Sequence, residues 1–135
     1  MSLAAGMRSS SSLHTVDLSL NQLGASAGRA LAAVLASADC VTLTVLRLWR
    51  NPLTDDGVAA LMDALSESTV PLRVLDLREC RVSSRGAASV AQVLKDPGVA
   101  RALRVLDLRG NTLNDGAVRD SLLALVTRDV HVVLK

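Results

Sequence analysis

Hydrophobic residues along this chain fall into two alternating rhythms, one of period two and one of period near four. Four segments carry the first: LHTVDLSLNQL from Leu13, LTVLRLWRNPL from Leu43, LRVLDLRECRV from Leu72 and LRVLDLRGNTL from Leu103, with starts 30, 29 and 31 residues apart. All fit L-x-x-L-x-L-x-x-N/C-x-L, Val16 and Val82 being the only apolar replacements. The fourth and sixth positions (Val16 and Leu18, Leu46 and Leu48, Leu75 and Leu77, Leu106 and Leu108) lie two apart, so each pair shares one face of a short strand and is predicted to point inward. Beyond each segment the spacing changes. Leu31 with Leu35, Leu61 with Leu65, and Val90 with Leu94 recur four apart, as on one face of a helix.

Between the two rhythms the chain must turn under cover, and its backbone groups need partners there. Asn21, Asn51 and Asn111 offer an amide donor and an acceptor at that position, whereas Cys80 offers a small apolar body with one weak donor, a structural role. Gly24, Thr54, Ser83 and Asn114 are favourable N-cap types and are predicted to open the helices. Gly28, Gly57, Gly86 and Gly116 follow near each helix start, which suggests close helix-to-sheet approach. Parallel strands need crossover connections, so strand, turn and helix repeated four times predict a parallel sheet on one side and a row of helices on the other.

The four matched segments, at a period near 29 residues with a full helix in each, resemble the ribonuclease-inhibitor-like class of leucine-rich repeats. That class is also seen in sensor regions of NOD-like receptors, in Ran GTPase-activating proteins and in axonemal scaffold proteins. The resemblance covers residues 13–134 and implies an α/β solenoid with a concave sheet and convex helices. The expected divisions are residues 13–42, 43–71, 72–102 and 103–129 for the repeats, with a terminal strand at 130–135. Residues 1–12 resemble the second half of a repeat helix, Leu3-Ala-Ala-Gly-Met7 matching Leu31-Ala-Ala-Val-Leu35. Solenoid ends need polar caps, and the lack of a substantial one predicts packing or self-association through the amino-terminal end.

Composition narrows the chemistry. Half of the 135 residues are hydrophobic, yet there is no Phe or Tyr and one Trp, so the core is predicted to be Leu, Val and Ala. A net charge of +2 announces neither a nucleic-acid nor a membrane binder. The longest nearly unbroken apolar stretch, residues 30–36, is too short to span a bilayer. Cys40 and Cys80 stand alone, with no C-x-x-C and no His at metal spacing, which disfavours a disulfide framework or a zinc site. A reducing, cytoplasmic setting is expected, with no metal or cofactor.

If the fourth and sixth positions face inward, the third, fifth and seventh face out on the sheet. The third row is Thr15, Val45, Val74 and Val105; the fifth is Asp17, Arg47, Asp76 and Asp107; the seventh is Ser19, Trp49, Arg78 and Arg109. Strands lie about 4.8 Å apart, so each row is a ladder of near neighbours. Trp49 has no inward place in the pattern. Beside Arg50, Arg78 and Arg109 it has the composition of an interface hot spot, or else it lies on Arg78 through a cation–π contact and binds nothing. The Asp and Arg ladder is either a mutually paired surface or a source of register for a partner.

These residues, with the valine row, form the expected partner-binding face. Arg47, Arg50, Arg78, Arg81 and Arg109 near one rim raise nucleic acid as an alternative, which the interspersed acids and the lack of interleaved aromatics disfavour. No P-loop, G-x-G-x-x-G or H-E-x-x-H occurs. His14, Asp17 and the serines at 9–12 have no expected pocket, and His131 reads as a surface residue. The expectation is a non-catalytic protein-binding or scaffold module of a larger assembly, such as a cytoskeletal or axonemal complex. A GTPase regulator of the Ran GTPase-activating type is the alternative that the fold resemblance implies.

Overall fold

The protein was examined as a computed structural model, which describes residues 13–37, 42–125 and 129–135. The expected helix over residues 1–12, the serines at 9–12 and Cys40 lie outside the described residues. Strands and helices alternate: β1 (Thr15–Asp17), α1 (Ala25–Leu35), β2 (Val45–Arg47), α2 (Thr54–Glu67), β3 (Val74–Asp76), α3 (Ser84–Leu94), β4 (Val105–Asp107), α4 (Gly116–Leu123) and β5 (His131–Val133). The five strands form one parallel sheet in sequence order. Registers follow the repeat: Thr15, Val45, Val74, Val105 and His131 are successive partners.

The core lies between sheet and helices. Leu46, Leu48, Leu75, Leu77, Leu106 and Leu108 from the strands are buried, and so are Leu31, Leu35, Leu61, Leu65, Val90 and Leu94 from the helices. Each such leucine contributes roughly 2 kcal/mol of apolar burial, which is how a chain without Phe or Tyr holds a stack together. No helix among the described residues is long and apolar enough to cross a membrane.

Each of the first four strands ends in a left-handed turn. Leu20, Arg50, Glu79 and Gly110, all at the eighth consensus position, have φ between 50° and 76°. Gly110 suits this turn without strain, and the packing favours glycine too, since a Cβ there would sit 2.5 Å from Glu79 Cγ. The following Asn closes the turn. Asn51 accepts from Asn21 N and Leu23 N, both at 3.0 Å, and donates to Leu18 O and Leu48 O at 2.8 and 3.0 Å. Asn111 makes the same four bonds one pair of repeats later, to Cys80 N, Val82 N, Leu77 O and Leu108 O.

Cys80 interrupts this column. Its buried thiol donates to Leu48 O at 3.1 Å, with Arg78 O also in reach at 3.3 Å, but it has no carboxamide oxygen for Leu53 N. Leu53 N bonds instead to Asn51 O at 2.7 Å across Pro52, and Thr54 N donates to Cys80 O at 3.1 Å. Thr54 therefore has φ 62° and is the first helical residue, with Leu53 at the cap, not the capping residue that its side chain suggests. The fourth helix also differs from expectation, because Asp115 rather than Asn114 caps it by accepting from Ala117 N and Val118 N. Ser83 caps α3 as expected, and Gly24 caps α1 with no side-chain bond.

The glycines near the helix starts serve approach between neighbouring repeats rather than approach to the sheet. A Cβ on Gly28 would lie 2.9 Å from Gly57 Cα, and one on Gly86 would lie 3.1 Å from Asp55 Cα. Gly116 has nothing within 4 Å, and a groove of about 460 Å³ opens beside it between α3 and α4, lined by Ala91, Gln92, Val118 and Leu125 among others.

Candidate functional site

Asp and Arg two residues apart on a strand share a face, and β3 and β4 both end on that arrangement. Arg78 grips Asp76 with Nε at 2.9 Å from Oδ1 and Nη2 at 2.7 Å from Oδ2. Arg109 repeats this on Asp107 at 3.0 and 2.8 Å. The backbone amides of Arg78 and Arg109 also donate to these carboxylates, which closes the turn at each strand end. Arg78 additionally reaches Asp107 of the next strand, Nε to Oδ2 at 3.6 Å. The result is a chain of charge running across two repeats.

Burial sorts the signs. Asp76 and Asp107 are 4% and 8% exposed, whereas the Arg109 side chain is 45% exposed. These two carboxylates are therefore not a solvated row: they sit beneath the guanidiniums that neutralise them. Burial works against the ionisation of Asp107, but hydrogen bonds from Arg109 and the charges of Arg109 and Arg78 outweigh it and hold its carboxyl below the ordinary value. Hydrogen bonding to Asp76, against a desolvation cost, raises the Arg78 guanidinium above its ordinary value.

The second repeat breaks the Asp-x-Arg pattern with Arg47-x-Trp49. Without a carboxylate at its own fifth position, Trp49 lies against the Arg78 guanidinium, whose Cζ is 5.1 Å from the ring centroid. Trp49 is half-buried rather than fully exposed. Arg47 is exposed and, among the described residues, no carboxylate lies within ion-pair distance of it, although Asp17 and Asp76 flank it in the ladder. Asp17 instead accepts from Ser19 N at 3.0 Å, and the Ser19 hydrogen bonds, more than Arg47, hold its carboxyl low. Val45, Val74 and Val105 form a half-buried apolar row on the same face.

Arg50 stands at the rim, paired with Glu79 at 3.1 Å in an exposed bridge beside Gln22, Pro52 and Arg81. The fold thus brings Trp49, Arg78, Asp76, Asp107 and Arg109 into one contiguous cluster, with Arg47 and Arg50 beside it. Two features escaped the sequence reading. Glu79 as the partner of Arg50 was hidden because the two sit one repeat apart at the turn. Asp55, on the helix side, accepts from Ser83 N and Ser83 Oγ at 2.8 and 2.6 Å and lies 3.5 Å from Arg85 Nε, pinning α2 to α3. Burial opposes its ionisation, and the Ser83 hydrogen bonds and Arg85 overcome that and lower it.

The chain matches the family profile described as Leucine Rich repeat over residues 9–32, 39–62, 71–91 and 100–119, more than half its length. It is 40% identical over 83 residues to Ribonuclease inhibitor of Sus scrofa, covering 62% of this chain and 18% of that protein. It is 39% identical over 77 residues to NACHT, LRR and PYD domains-containing protein 5 of Bos taurus, covering 56% of this chain and 7% of the relative. Centrosomal protein of 78 kDa of Mus musculus is 36% identical over 75 residues, 56% of this chain and 9% of the relative. The chain spans less than a fifth of the length of these relatives. The chain belongs to the leucine-rich repeat family, and its repeats are of the ribonuclease-inhibitor-like kind.

Proposed function

We propose that the chain is a non-catalytic module that binds a protein partner on its sheet face, with Trp49, Arg47, Arg50, Arg78 and Arg109 at the centre of contact. Leucine-rich repeats generally mediate protein–protein interaction, and one observation supports this face in particular. A half-buried indole is held under a guanidinium that is itself locked on Asp76, so an aromatic and arginine pair stands preorganised on an open sheet. Ordering side chains at an interface costs free energy, and groups already fixed avoid that cost. Tryptophan and arginine dominate measured interface energetics. Asp76, Asp107, Val45, Val74 and Val105 complete the face, as scaffold for the guanidiniums and as an apolar strip.

The module works within a larger, cytoplasmic assembly, cytoskeletal or axonemal in kind. The similarity to a protein named for the centrosome favours that setting. A GTPase-regulating role rests on fold resemblance alone. Crosslinking mass spectrometry on the native complex tests the reading: crosslinks should cluster at the sheet rim, and the emission of the sole Trp should shift when the partner is added. Crosslinks confined to the helix side, with Trp49 emission unchanged, would place the contact elsewhere.

A further inference from the structure

We infer that the partner surface taken by this face is an acidic, amphipathic polypeptide segment; the inference rests on the sheet face being the binding surface. The argument is one of depth as well as charge. Asp76 and Asp107 lie at the bottom of the face with their oxygens consumed by Arg78 and Arg109. Over β3 and β4 an arriving molecule meets guanidinium rather than these two carboxylates.

Three arginines retain binding capacity. Arg47 has no carboxylate within ion-pair distance among the described residues. Arg109 engages Asp107 through Nε and Nη2, with no bond from Nη1 among the described residues. Among the described residues the Arg50 guanidinium is held by Glu79 alone, in a pair whose side chains are 60% and 49% exposed. An exposed pair of this sort is worth at most about 1 kcal/mol, so a partner carboxylate can displace Glu79. The planar guanidinium fork matches a carboxylate with two parallel hydrogen bonds.

Beside these arginines run the half-buried Val45, Val74 and Val105, in register on adjacent strands. A segment with apolar side chains over the valines and carboxylates over the arginines satisfies both rows. A nucleic-acid strand fits less well. It has no apolar side chains to lay over the valine row, and the one tryptophan is already covered by Arg78.

The test titrates the whole chain with three probes of similar length: a Glu-rich peptide with interspersed leucines, its Gln counterpart, and oligothymidylate, followed by Trp49 emission and calorimetry. The Glu peptide should bind and shift the emission, and weaken as salt is raised. The Gln peptide should bind at least about tenfold more weakly, as expected when steering charges are removed. R47E/R50E should lower affinity for the Glu peptide by about tenfold or more while leaving the circular dichroism spectrum of the folded chain unchanged. Silence towards the Glu peptide, undiminished binding by R47E/R50E, or equal binding of oligothymidylate would each overturn the proposal. A native partner crosslinked to this face through a basic segment would also overturn it, while leaving the face itself as the binding surface.

Discussion

The guanidinium of Arg78 covers the indole of Trp49, its Cζ 5.1 Å from the ring centroid, while its Nη2 lies 2.7 Å from Asp76 Oδ2. One side chain thus shields an aromatic and neutralises a buried acid. R78A is expected to cost about 3 kcal/mol, the low end for breaking a buried pair, because the arginine itself is partly open to water. It should also red-shift Trp49 emission. Denaturant unfolding with fluorescence measures both, and an unchanged emission maximum would show that Arg78 does not shield the ring.

The interruption of the asparagine column makes a sharper test. C80N offers Leu53 N a carboxamide oxygen in place of Asn51 O and replaces a weak thiol donor by an amide, and should raise stability by about 1 kcal/mol. Thr54 should leave its left-handed conformation, readable in its Cα and Cβ chemical shifts. N111A should do the reverse, leaving four backbone groups without partners at a cost of roughly 3 kcal/mol. A C80N protein in which Thr54 keeps φ near 62° would break the proposed link between the two positions.

The glycines separate in a paired comparison. G86A places a Cβ 3.1 Å from Asp55 Cα and against its carboxylate, and should destabilise by about 1–3 kcal/mol. G116A meets nothing within 4 Å and should stabilise by about 0.5–1 kcal/mol through helix propensity. Equal effects in thermal unfolding would contradict the packing.

Acid should loosen the stack over a defined window. The Asp107 and Asp55 carboxyls are held below their ordinary value of 3.8 in the folded chain. A lowered folded value means that the stabilisation is fully present above the unfolded value and is lost as pH falls through the folded one. Unfolding free energy should therefore be level from pH 7 to about 4 and fall below it. D107N should lower the plateau by roughly 2 kcal/mol, the worth of charged hydrogen bonds, and flatten part of the decline. A decline of unaltered size in D107N would assign the acid sensitivity elsewhere.

The strands and their rows could be read from the repeat because period two and a constant spacing fix both face and register. Thr15, Val45, Val74 and Val105 are partners in the sheet as they are in the alignment. The features that were not legible depend on sideways neighbours. Asp76 and Asp17 occupy the same consensus position, but one is buried under an arginine two residues on and the other is followed by a serine. The start of α2 at Thr54 is set against Cys80, 26 residues later, whose carbonyl accepts from Thr54 N. Glycine spacing reports that something comes close without saying whether sheet or helix does.

The column of asparagines gives the junctions of this stack unequal character. Asn51 ties the first repeat to the second and Asn111 the third to the fourth by shielded amide bonds. Between the second and third, where Cys80 stands, Arg50 with Glu79 and Arg85 with Asp55 and Asp56 bridge the gap by charge. Dissolved ions screen exposed charges and leave buried amide bonds largely untouched. Raising salt should therefore speed amide hydrogen exchange more at that middle seam than at the seam held by Asn51, so that the ionic surroundings set which junction of the stack opens most readily.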